Sequence, residues 1–147
     1  GRDGLTLTDH WAVDGMRSLH GRNVHGVPNL FVVGFSQAAN LISNVPHNLV
    51  EAGRTVAAMV KHAVDVGADE VEVTAEAEQA WIDRLKAGDR RFGADPDCTP
   101  GYYNNEGQPD ETASQVGGLG FPEGPVAYFQ YINAWRSSGE FAGLEFR

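Results

Sequence analysis

The stretch PNLFVVGFSQAANLISNVPHNLVEAGR, residues 28–54, restricts the fold more than any other part of the chain. Residues 30–33, Leu-Phe-Val-Val, form a short apolar run rich in β-branched and aromatic side chains. Such a run predicts a strand covered on both faces, as in the parallel sheets of α/β proteins. Gly34 closes it where backbone can approach a ligand, and Ser36, Gln37, Asn40, Ser43 and Asn44 then supply hydrogen-bonding side chains. Asn44 is placed to cap a helix with Pro46 in its first turn. Leu49, Gly53, Val56, Ala57, Val60 and Val64 follow at helical spacing. The helix is predicted over 45–66 and stops at Gly67, with Lys61 and His62 suited to its final turn. Its free N–H groups and positive dipole end face the loop, at the carboxyl end of the strand, where open α/β sheets bind ligands.

With 147 residues the chain has room for one domain, yet it opens on Gly1 with no signal-like segment, which suggests a fragment. Its 11 Lys and Arg stand against 20 Asp and Glu, a net charge of -9, and phosphate neutralisation needs a basic face, so nucleic acid is excluded as a partner. The longest apolar run, around Phe31, is far too short to span a bilayer, so no membrane role is expected. Cys98 is the lone cysteine, which rules out an internal disulfide and fits a cytoplasmic setting.

Residues 1–27 carry frequent glycines and alternating apolar positions, and read as extended pieces and turns. Their three histidines, His10, His20 and His25, match no metal-ligand spacing and read as solvated loop residues. Residues 69–73 read as a link to a second helix capped by Thr74, with Ala77, Trp81 and Leu85 on one face, an acidic solvated face carrying Glu76 and Glu78, and a stop at Gly88. Residues 92–125 are loop-like, and their paired Tyr102 and Tyr103 argue for an ordered loop that serves packing or ligand contact. Phe129, Ile132, Trp135 and Arg136 then mark a helix over 126–137 ended by Gly139, and the closing FAGLEFR is either a short strand or an extended tail. Ser36, His47 and Glu51 contain the residue types of a hydrolytic triad, but no nucleophile-elbow pattern surrounds the serine.

Taken together, a tryptophan upstream of VPNLFVVG, the loop and NVPHNLVEAGR that follow, and CTPGYYNNEG at residues 98–107 resemble the last portion of flavin-dependent Baeyer-Villiger monooxygenases. The resemblance covers nearly the whole chain. It implies an α/β fold in which residues 1–67 are the C-terminal piece of a Rossmann-like FAD-binding domain and residues 68–147 a helical, loop-rich C-terminal extension. It further implies FAD and NADPH as cofactors, a small-molecule ketone and O2 as substrates, and FAD- and NADP-binding domains supplied upstream in the same chain. In such enzymes one oxygen atom is inserted beside the ketone carbonyl to give an ester or lactone. The family's glycine-rich fingerprints and its active-site arginine belong upstream, so the fragment is expected to hold no catalytic residue and to be inactive alone.

Carried over by position, the loop after Gly34 passes beside the flavin. Gln37 and Leu41 approach the isoalloxazine or the substrate, and Asn44 and Val45 offer backbone N–H groups to the pyrimidine edge of the flavin. Tyr102 falls where several members of the family have a tryptophan on the NADP or substrate side, and the change to Tyr keeps an amphipathic ring. No metal site is expected. The alternatives are another flavin monooxygenase that oxidises nitrogen or sulfur, and a non-catalytic acidic interaction module.

Overall fold

Capped helices carry the architecture of the chain, whose computed structural model describes residues 1–34, 36–40, 43–88, 99–100 and 118–147. Helix α1, Leu7–Asp14, lies where extended pieces and turns were expected. Thr6 and Asp9 stand in capping-box spacing: the Thr6 hydroxyl accepts the Asp9 N–H at 3.1 Å and donates to the Asp9 carboxylate at 2.6 Å. None of its residues is buried, so local capping rather than packing makes this helix.

Helix α2, Val45–Val66, begins and ends as its sequence dictates. The Asn44 side chain accepts the His47 N–H at 3.0 Å, and Gly67 ends the helix in the left-handed region at φ 72. Its buried face, however, is Asn48, Glu51, Ala52, Thr55, Met59 and Ala63, whereas Leu49, Gly53, Ala57, Val60 and Val64 are exposed. Most of the polar stripe that goes inward is paired: Arg136 donates to Glu51 at 3.1 Å and to Thr55 at 3.2 Å, and the Asn48 amide N–H donates to the Ser43 hydroxyl at 2.6 Å, while the Asn48 Oδ1 has no partner among the described residues. Lys61 and His62 sit short of the last turn, Lys61 paired with Asp65 and His62 packed on Phe141 and Phe146.

Strand β1, Val71–Val73, occupies the expected link and pairs antiparallel with β2, Leu144–Phe146, in the register Val71 with Phe146, Glu72 with Glu145 and Val73 with Leu144. The closing FAGLEFR is therefore a strand rather than a loose tail. Residues 30–33, by contrast, enter no ladder, and the Val32 N–H donates to the Arg22 carbonyl at 2.8 Å. A buried parallel strand needs a neighbour on each side, and among the described residues none supplies one.

Helix α3, Ala75–Ala87, is capped by Thr74, and α4, Pro125–Ser138, starts at Gly124 and stops at Gly139 with φ 72. Their inner faces build the core, where Trp81, Ile82 and Leu85 of α3 meet Tyr128 and Ile132 of α4, together with Leu19, Leu119 and Phe121. Trp81 is its hub, stacked on Phe121 and on Tyr131 with ring centroids 5.6 and 5.5 Å apart. The expected solvated acidic face is only half right. Glu76 is exposed, but Glu78 is buried and accepts from Arg17 and from the His25 N–H, each at 2.9 Å.

The chain's two ends meet on Glu72, which accepts from Arg2 at 2.7 Å, from the Gly26 N–H at 3.1 Å and from Arg147. The Arg2 hydrogen bond leads the effects that hold its carboxyl below the usual range.

Candidate functional site

The loop after Gly34 is fastened on several sides at once. Gln37 donates its N–H to the Leu119 carbonyl at 3.1 Å, and Phe121 returns a bond to the Ala38 carbonyl at 3.0 Å. The Trp81 indole N–H reaches the Gln37 carbonyl at 3.1 Å, and the Asn40 amide donates to the Gly118 carbonyl at 2.9 Å. Ala38, Ala39 and Gln37 are buried accordingly.

A tight turn closes on the loop from another side. Leu19 and Asn23 bridge antiparallel, the Arg22 N–H bonds the Leu19 carbonyl at 2.9 Å, and the two central residues, His20 and Gly21, have φ 55 and 73. Two successive positive φ values make this a type I′ turn, for which His-Gly is serviceable chemistry. Gly21 is required twice over, because a Cβ there would lie 2.4 Å from the Ser36 carbonyl oxygen. The turn thus brings its backbone directly against the loop.

Arg22, leaving this turn, is buried and uses one nitrogen, Nη1, to donate to the carbonyls of Gly21 at 2.8 Å and Gly34 at 2.9 Å. Its Nε is buried with no hydrogen-bond partner, and burial lowers its hold on its proton. His20 is no solvated residue either. It is 3 % exposed, lies edge-on to Trp81, Tyr131 and Trp135, and bonds the Tyr131 hydroxyl through Nε2 at 3.0 Å.

Burial, with smaller help from Arg22 and Arg84, pushes the His20 imidazole down to about 3, so it packs as a neutral ring. The folded value lies below the ordinary 6.5, so the unfolded chain takes up the proton first and stability falls with acidification between pH 6.5 and 3. One such proton contributes a slope of about 1.4 kcal/mol per pH unit. Replacing His20 by Phe should flatten that acid limb, as measured by denaturant melts from pH 7 to 4, and an unchanged slope would place the titrating group elsewhere.

The residues expected at a flavin fall into three groups. Gly34 lies at an open position, since among the described residues a Cβ there would meet nothing within 4 Å. Asn44 caps α2 and Val45 is the first residue of that helix, in the turn whose N–H groups have no intrahelical acceptor. Gln37 is committed inward: its amide donates to the Met16 carbonyl at 2.6 Å and accepts from the Ser18 hydroxyl at 2.7 Å, so its side chain braces the loop rather than reaching across it. Leu41 and Tyr102, with Tyr103 and Cys98, lie outside the described residues.

The other candidates do not assemble a site. Glu51 is spent on Arg54 and Arg136, at 2.6 and 3.1 Å, and these bonds outweigh its burial to hold the carboxyl below its ordinary value. His47 lies edge-on to Phe129, so Ser36, His47 and Glu51 form no triad. His25 bonds the Val73 carbonyl at 2.9 Å through Nδ1, and among the described residues no cluster could hold a metal ion. An open groove of about 580 Å³ runs between α1 and the start of α3, past His10, Arg17 and Glu76, and no described residue of the loop at 34–44 lines it. No described helix is long and apolar enough to cross a membrane.

No protein-family profile matches the chain. Individual relatives do, along its whole length. It is 39% identical to pentalenolactone D synthase of Streptomyces exfoliatus over 153 residues, covering 100% of this chain and 25% of that protein. An FAD-binding monooxygenase of Hypomyces subiculosus is 35% identical, with 99% and 24% covered, and a Baeyer-Villiger monooxygenase of Streptomyces coelicolor is 39% identical, with 92% and 22% covered. The polycyclic ketone monooxygenase of Thermothelomyces thermophila superposes with a TM-score of 0.80 at 32% identity, over 100% of this chain and 23% of that one. A steroid monooxygenase solved with NADP bound shares the fold with a TM-score of 0.75 at 22% identity, over 99% of this chain and 25% of that one. The chain spans about a quarter of the length of the curated relatives it matches. It is related along its whole length to the flavin-dependent Baeyer-Villiger monooxygenases.

Proposed function

We propose that this chain is the part of an FAD- and NADPH-dependent Baeyer-Villiger monooxygenase that closes the FAD domain, the complete protein using O2 to convert a ketone into an ester or lactone. In this reading residues 1–67 complete a Rossmann-like FAD domain, residues 68–147 form the extension packed on it, and residues 30–33 take their place as a strand once the rest of the sheet is beside them. The chain contributes no catalytic residue of its own. A cytoplasmic setting belongs to the same reading, supported by the single cysteine.

The observation that carries the reading is the pairing of a braced loop with a capped helix start. Gln37, Ala38 and Asn40 are bonded inward to Met16, Ser18, Trp81 and residues 118–121, while the position above Gly34 is open among the described residues and the first turn of α2 is exposed at Asn44, Pro46 and His47. In that turn Pro46 has no N–H and the His47 N–H is taken by the Asn44 side chain, so the backbone N–H groups of Asn44 and Val45 are the donors offered to the pyrimidine edge of a flavin. When bound, the flavin supplies the redox chemistry with NADPH and O2. Gly34 leaves room for the ring, Gln37 holds the loop, and the N-terminus of α2 meets the charge that grows on that edge with about 0.3 to 2 kcal/mol of stabilisation. Leu41 and Tyr102 keep their proposed places at the flavin and on the NADP or substrate side, on the resemblance alone.

Turnover by the complete protein tests the reaction. NADPH oxidation should rise with cyclic or linear ketones and yield ester or lactone. Stimulation by amines or sulfides alone would assign the protein to nitrogen or sulfur oxidation instead.

A further inference from the structure

We infer that Arg22 is a positioning residue for the flavin, its buried guanidinium fixing the carbonyl of Gly34 and setting a positive charge behind the loop that approaches the cofactor. The inference rests on the FAD reading above.

The charge is conspicuous for its lack of an acid. Arg2, Arg17, Arg54, Arg84, Arg136 and Arg147 each form an ion pair with a carboxylate. Arg22 forms none among the described residues, although the chain has 20 Asp and Glu. It is also among the largest fully buried side chains. A buried cation without a counter-charge is costly, and apolar side chains of similar volume usually serve a core better. Here the guanidinium is held by two carbonyl oxygens, 2.8 and 2.9 Å from one nitrogen, and a second nitrogen, Nε, is buried with no partner. One of the two carbonyls belongs to Gly34, the open position at the head of the loop. A cation placed behind that backbone has an electrostatic use if an anion forms in front of it, and a reduced flavin is such an anion.

The sign of the effect follows. A fixed positive charge stabilises the reduced, anionic flavin over the oxidised, neutral one, so it raises the midpoint potential and tightens binding of the reduced form. The complete protein, prepared as wild type, Arg22→Met and Arg22→Lys, allows the potential, the FAD affinity and the melting temperature to be measured together. The Met variant should show a more negative potential and a roughly tenfold weaker affinity for the reduced flavin, a change of about 1.4 kcal/mol, with only a limited loss of melting temperature, because removal of an unpaired buried charge offsets the two carbonyls left without this donor. The Lys variant, which keeps the charge, should hold its potential near that of the wild type.

A Met variant that melts much earlier with unmoved potential and affinity would overturn the inference, for it would mean that Arg22 pairs with an acid elsewhere in the protein. Should Arg22→Met fail to fold, Arg22→Gln carries the same comparison, and failure of both neutral variants would make the role structural and end the proposal. A wild type that binds no FAD defeats the FAD reading itself. Flavin in the wild type with unmoved variants defeats this inference alone.

Discussion

Gly21→Val should leave the protein without a properly formed loop, with a loss of at least about 3 kcal/mol of stability. Two independent effects add at this position. The residue has φ 73, which a β-branched side chain scarcely adopts. Its Cβ would also stand 2.4 Å from the Ser36 carbonyl, a backbone atom that cannot swing aside as a side chain could. Gly21→Ala carries the same clash with less torsional strain, so denaturant melts should rank wild type above Ala above Val. An alanine variant within 0.5 kcal/mol of the wild type, the size of an ordinary surface change, would show that the turn and loop do not touch in this way.

Trp81→Ala should be comparably severe, about 3 to 5 kcal/mol, the range for emptying an aromatic site in a packed core. The ring joins three parts of the molecule: it stacks on Phe121 and Tyr131, receives the edge of His20, and donates to the Gln37 carbonyl at 3.1 Å. Trp81→Phe separates packing from the hydrogen bond. It keeps a ring but leaves the buried Gln37 carbonyl without its donor, an expected loss of about 1 to 3 kcal/mol. If the Phe variant matched the wild type in a chemical melt, the indole N–H would have no part in bracing the loop.

Much of this architecture was legible because helix ends are written in local chemistry. Asn44 with Pro46, Thr74, and the stops at Gly67, Gly88 and Gly139 each act within a turn of the residue concerned, and α2, α3 and α4 follow them. Helix α1 was equally legible in principle from the Thr6 and Asp9 spacing, but the glycines around it drew the reading toward turns. What no local pattern contains is partnership. The apolar run at residues 30–33 has strand composition yet finds no ladder among the described residues. On α2, apolar residues lie on more than one side, and the pairing of Glu51 and Thr55 with Arg136, 81 to 85 positions away, goes with the polar stripe turning inward. The valines left outside, Val60 at 45% and Val64 at 74% exposure, form an uncovered face.

The candidate site divides along the same line. Asn44 and Val45 were readable as a helix start, and Gly34 as a place where backbone can approach a ligand, a position that is open among the described residues. Gln37 could be read only as a polar loop residue, since its bonds to Met16 and Ser18 depend on how residues 16–23 fold back. Arg22 escapes notice altogether, and His20 reads only as a solvated loop residue, whereas it is buried. The one local signal is the His-Gly pair, which fits a type I′ turn, and turn type alone does not say what the turn packs upon.

We propose that the loop from Gly34 to the start of α2 holds a flavin. The measurement that tests it most directly is the absorbance spectrum of the complete protein after gel filtration, wild type beside Asn44→Ile. Removing the cap costs the helix start about 1 kcal/mol and the branched side chain disturbs the adjoining backbone. The wild type should carry a stoichiometric flavin spectrum and the variant should lose most of it. A wild type with no flavin, or a variant that retains the full complement, would contradict the assignment.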